Sequence, residues 1–155
     1  MNIEKKKQTL IDSLRIPVIG APLFIVSNPK LVIEQCKAGI IGSFPALNAR
    51  TEEDLEKWMI EINEELENYK KKEPNKKIAP YAVNQIVHQS NTRLRHDVEM
   101  CVKYKAPIVI TSLRPPGEVV EAVHSYGGLV FHDVINMKHA KRAISEGVDG
   151  IIAVC

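Results

Sequence analysis

Residues 129–154 read LVFHDVINMKHAKRAISEGVDGIIAV, and the residue types alone spell a strand, a helix and a second strand. Leu129 to Val134 is a short run rich in β-branched and aromatic residues. Asn136 then supplies a capping side chain, Met137, Ala140, Ala143 and Ile144 recur on one helical face, and Gly147 closes the helix. Residues 150–154 are apolar at consecutive positions instead of alternating with polar ones, as strands covered on both faces require. Two strands joined by such a helix pair in parallel through a right-handed crossover.

The same unit recurs upstream. Apolar runs at 16–21, 39–44, 78–84 and 107–111 read as further strands. Between them Asn28-Pro29 opens a helix that Gly39 ends, and Leu55, Trp58, Met59, Ile62, Leu66 and Tyr69 form a core stripe behind a Thr51 cap. Leu94, Val98, Cys101 and Val102 mark a third helix, and Val119, Val120 and Val123 a fourth that stops at Gly127. The expected fold is α/β with a parallel sheet, six strands and five helices. That succession suits an open doubly wound sheet or part of a (β/α)8 barrel. Length favours the open sheet, yet the apolar strand at 151–155, with Cys155 its last residue, is followed by no helix, as if a barrel were interrupted at strand six.

A chain of 155 residues is expected to form a single domain. Its 45% hydrophobic and 26% charged residues exclude disordered and collagen-like classes. A net charge of +2 is too balanced for a nucleic-acid partner, and the lysines at 70, 71, 72, 76 and 77 read as a solvated helix end. The three cysteines lack any disulfide or metal-site spacing, so a reducing, cytoplasmic setting is expected, with Cys36 and Cys101 as small buried hydrophobes and no metal site. No apolar span is long enough for a membrane helix, and no membrane partner is expected.

In parallel α/β architectures ligands meet the carboxyl ends of strands. GxxxxGK, GxGxxG, GxSxG and HExxH patterns are absent. Pro22, in Ala21-Pro22-Leu23, either stiffens a strand exit or leaves neighbouring backbone groups for a planar ring. Asn84 ends an apolar run, where its amide serves equally as a turn cap or as a match for ring carbonyls. His132 is a pocket candidate, and adjacent Asp133 points to the other face. His139 stands in the first turn of the last helix, either as an exposed side chain or where an anion would meet amide donors. His96 and His124 read as solvent-facing, and His88 as a loop residue.

Taken together, IPVIGAPLF, KAGIIGSFPALN, IAPYAVNQ, PIVITSLRPP and FHDVINMKHAKRAISEGVDGIIAV resemble the nitronate monooxygenase family, formerly 2-nitropropane dioxygenases, from about Ile16 to Cys155. The resemblance implies the amino-terminal part of an FMN-dependent (β/α)8 barrel. It matches Ala21, Pro22 and Leu23 to the segment lying against the flavin ring, with Leu23 where many members carry methionine. Asn84 matches a third-strand amide that contacts the flavin, His139 a histidine at the corresponding helix start, and His132 a polar strand-end position. The family's catalytic histidine and phosphate-binding loops have no counterpart up to Cys155, so weak or no flavin retention is expected of these 155 residues. The implied reaction is oxidation of a nitronate or nitroalkane by dioxygen to a carbonyl compound and nitrite. The alternatives are a related FMN barrel of the enoyl reductase or inosinate dehydrogenase type, or a non-catalytic α/β module that self-associates through open sheet edges.

Overall fold

The computed structural model of the protein describes residues 3–154. Cys155, which ends the last expected strand, lies outside the described residues. Helix α1 (Ile3–Ser13) is followed by α2 (Pro29–Lys37), β1 (Gly42–Pro45), a 3-10 turn (Ala46–Asn48), α3 (Glu52–Lys72), β2 (Tyr81–Val87), α4 (Leu94–Lys103), β3 (Ile108–Leu113), α5 (Gly117–Ser125), β4 (Leu129–Val134), α6 (Met137–Ser145) and β5 (Gly150–Ala153). The strands form one sheet in the order β1-β2-β3-β4-β5. The chain divides into two compact units between Ala82 and Val83, inside β2. No helix among the described residues is long and apolar enough to cross a membrane.

In the first unit α2 packs on α3 and β1. Asn28 caps α2 by accepting the Leu31 N–H at 3.1 Å, and Thr51 caps α3 by accepting that of Asp54 at 3.1 Å. Of the α3 stripe, Leu55, Met59 and Ile62 are fully buried, while Trp58 is half-buried with its ring edge-on to Phe44 at 5.7 Å. In the second unit β3, β4 and β5 pair in parallel, with Thr111 opposite His132 and His132 opposite Ile151. Helix α4 packs on α5, and both α5 and α6 pack on β4. Asn136 caps α6 by accepting the His139 N–H at 2.9 Å. Burial pushes the Cys36 thiol up to about 11 and that of Cys101 to about 12, so neither is a thiolate at neutral pH.

Three readings need correction. The expected first strand, 16–21, makes only an isolated parallel bridge, Ile19 to Ile41, so five strands are formed among the described residues. Pro17 has no N–H to give to a ladder, and Val18 N–H turns back to Ile16 O at 2.8 Å. Residues 3–13 form a helix that the apolar spacing did not signal, because charged and polar residues dominate it. Met137 and Ile144 are exposed, and α6 buries only its small face, Ala140 and Ala143, beside Val134 and Val148.

Close packing of α2 on β1 leaves Gly42 no room for a side chain: a Cβ there would lie 2.5 Å from Val32 O. Gly42→Ala is expected to lower unfolding stability by about 2 kcal/mol or more, read as a lower urea midpoint at unchanged m-value.

Candidate functional site

In the first unit Ala21, Pro22 and Leu23 belong to the loop between the Ile19 bridge and α2. Ser27 Oγ accepts the Leu23 N–H at 2.9 Å and donates to Ala21 O at 3.3 Å. From the end of the 3-10 turn, Asn48 Nδ2 donates to Leu23 O at 3.0 Å and Ser27 O at 2.9 Å, and its Oδ1 accepts the Ile25 N–H at 3.1 Å. These bonds pin a γ-turn in which Val26 N–H reaches Phe24 O at 2.8 Å and Ile25 sits at φ +67°, a conformation a β-branched residue adopts only when its surroundings impose it. Ser43 Oγ also donates to Gly20 O. The polar groups of Leu23 are therefore used internally, and the loop turns four exposed apolar side chains, Leu23 to Val26, outward. Asn48 and Ser27 were not among the sequence candidates. The available signal was Asn48 itself, an amide closing the AGIIGSFPALN segment with no helix to cap.

In the second unit the polar residues of β2, β3 and β4 form two sets. Asn84 is the fourth of seven residues in β2, not its end as expected: Gln85, fully buried, carries the strand onward with its Nε2 on Cys101 Sγ at 3.4 Å. Asn84 Nδ2 donates to Ile110 O at 3.2 Å and to Ser112 Oγ at 2.9 Å, and Ser112 in turn donates to Asp133 Oδ2 at 2.6 Å. One residue earlier on β3 and β4, Thr111 Oγ1 and His132 Nδ1 lie 2.8 Å apart, both buried, with Phe131 O at 3.3 Å from the same hydroxyl. Alternation along the strands thus separates Asn84, Ser112 and Asp133 from Thr111 and His132.

Burial pushes the His132 imidazole below its ordinary value; the Asp133 carboxylate opposes this and nearby His139 adds to it. The ring is therefore neutral at pH 7. His139 itself is exposed in the first turn of α6. His88 Nδ1 lies 2.8 Å from Ser90 Oγ in the loop after β2. The solvent-facing reading of His124 fails: its Nε2 meets the buried carboxylate of Asp149 at 2.8 Å. That of His96 fails too, since its Nδ1 lies 3.1 Å from buried Asp97 Oδ1. No group of His, Cys, Asp and Glu among the described residues could hold a metal ion.

No known family profile and no curated protein matches the chain. Solved structures do. FabK from Thermotoga maritima superposes with a TM-score of 0.76 at 22% identity, covering 94% of this chain and 43% of that one. Nitroalkane oxidase from Streptomyces ansochromogenes superposes with a TM-score of 0.75 at 18% identity, covering 93% of this chain and 47% of that one. The chain has the fold of one part of these proteins and spans less than half their length.

The depressed His132 value gives a pH dependence of known sign. Because the unfolded ring titrates near 6.5 and the folded ring lower, the folded state binds fewer protons in between; stability is full above about pH 6.5 and falls as pH drops through the folded value. Urea midpoints at pH 7.5 and pH 5.5 are expected to differ less in His132→Gln than in the natural chain, and NMR titration should place the His132 ring below 6.5.

Proposed function

We propose that this chain is the amino-terminal portion of an FMN-dependent (β/α)8 barrel that oxidises nitronates or nitroalkanes with dioxygen to carbonyl compounds and nitrite. The observation that carries the reading is Asn84: at 6% exposure its Nδ2 is engaged by Ile110 O and Ser112 Oγ, so that Oδ1 is the part of the amide left to accept from a ligand. An amide oxygen at that position fits a ligand that brings a donor, and the imide of a flavin ring is one. The family resemblance of the quoted segments supports the same choice, as does the likeness in fold to a nitroalkane oxidase.

FMN, when bound, would supply the redox chemistry between substrate and dioxygen. The residues of this chain hold and orient. Asn84 receives a ring N–H. His132, which the resemblance matches to a polar strand-end position, lies on the other strand face from Asn84, against Thr111. His139 and the first turn of α6 offer a positive helix end to an anion. The base that removes the substrate proton has no match among the described residues.

Titration of FMN fluorescence with the purified chain is expected to give weak, saturable quenching, with affinity lowered about tenfold in Asn84→Leu. Absence of quenching at any protein concentration would sink the flavin reading. Nitronate-dependent oxygen uptake by the FMN-loaded protein is the expected activity; reduction of an enoyl thioester by a nicotinamide without such uptake would assign it to the enoyl reductase type.

A further inference from the structure

We infer that Asp133, acting through Ser112, locks the Asn84 amide in one orientation, so that the site presents a hydrogen-bond acceptor and selects ring ligands by a donor N–H. This deepens the flavin reading and rests on it. Ser112 has one hydroxyl proton, and it goes to Asp133 Oδ2 at 2.6 Å, because a carboxylate accepts and does not donate. Toward Asn84 the Ser112 oxygen can then only accept, so the atom 2.9 Å from it must be Nδ2. The Ile110 carbonyl, 3.2 Å from the same nitrogen, imposes the same choice independently.

A flipped amide would set Oδ1 against the Ile110 carbonyl oxygen and against a hydroxyl oxygen whose proton is already committed. Both contacts would oppose lone pairs, the one to Ile110 in a buried position. Asn84 Oδ1 is thereby fixed as the group that faces the ligand. A ring that carries an N–H flanked by carbonyls satisfies it; the same ring methylated on that nitrogen leaves the oxygen unpaired and adds bulk against it. Ser112 and Asp133 are positioning residues: neither needs to touch the ligand, and Asp133 acts two hydrogen bonds away from it.

The test uses the whole 155-residue chain, with FMN and 3-methyl-FMN as probes and NMR of the Asn84 side-chain NH2 group, assigned by its loss in Asn84→Asp. In the natural chain the two amide protons should exchange slowly with water. Exchange should accelerate about tenfold or more in Ser112→Ala and Asp133→Ala and stay slow in Ser112→Thr, which keeps the hydroxyl. FMN should bind about tenfold more tightly than 3-methyl-FMN, with the ratio falling toward one in the two alanine variants. Unchanged exchange in both alanine variants overturns the inference, as does equal binding of the two flavins by the natural chain. If neither flavin binds while exchange responds as described, the flavin reading falls and the orientation of Asn84 stands.

Discussion

Parallel strands joined by crossover helices are covered on both faces, and that constraint governs where polarity can appear in this chain. Val83, Val109, Ile110 and Val130 are essentially without solvent contact. Each buried aliphatic side chain of this kind contributes about 1.5–3 kcal/mol, and a polar atom among them costs a comparable amount unless it is bonded. Polar side chains of β2, β3 and β4 accordingly find partners on a neighbouring strand or, for Gln85, on α4. Asn84 finds Ile110 O and Ser112, Ser112 finds Asp133, and Thr111 finds His132.

The loop before α2 reaches the same economy of unpaired groups by another route. A segment of four apolar residues cannot satisfy its own backbone in a helix or ladder, so Asn48 and Ser27 do it with side-chain atoms. Those bonds stabilise the left-handed backbone of Ile25, which costs about 1–3 kcal/mol in isolation. What results is a loop whose shape is fixed by polar bonds underneath and whose outward surface is apolar.

Much of this was legible in the residues. The caps Asn28, Thr51 and Asn136 and the helix-ending glycines at 39, 127 and 147, all with positive φ, fall where the sequence puts them, because caps and left-handed turns are decided within a few residues. The first strand was misread because Pro17 acts on a ladder that only tertiary pairing reveals. The apolar run ends at Asn84, yet β2 goes on; the side-chain partners that Gln85 and Asn84 find, Cys101 and Ser112, stand 16 and 28 residues away. Hydrogen-bond direction, which gives Asn84 its chemical sense, depends on Asp133, and no local pattern joins those two positions.

His124 and His132 differ in the partner that each imidazole meets. His124 meets Asp149, whose Oδ2 also accepts the Val130 N–H at 2.8 Å while the Asp149 N–H donates to Val130 O at 2.8 Å. That carboxylate stands in for a ladder partner where β5 joins β4, and His124 lends it a donor; removing either would leave a buried acceptor or a backbone donor unpaired. The His132 ring meets the Thr111 hydroxyl through Nδ1, and burial pushes its proton affinity down. An imidazole bound to a carboxylate that the sheet needs is committed to the fold. The His132 imidazole meets a hydroxyl of the neighbouring strand instead.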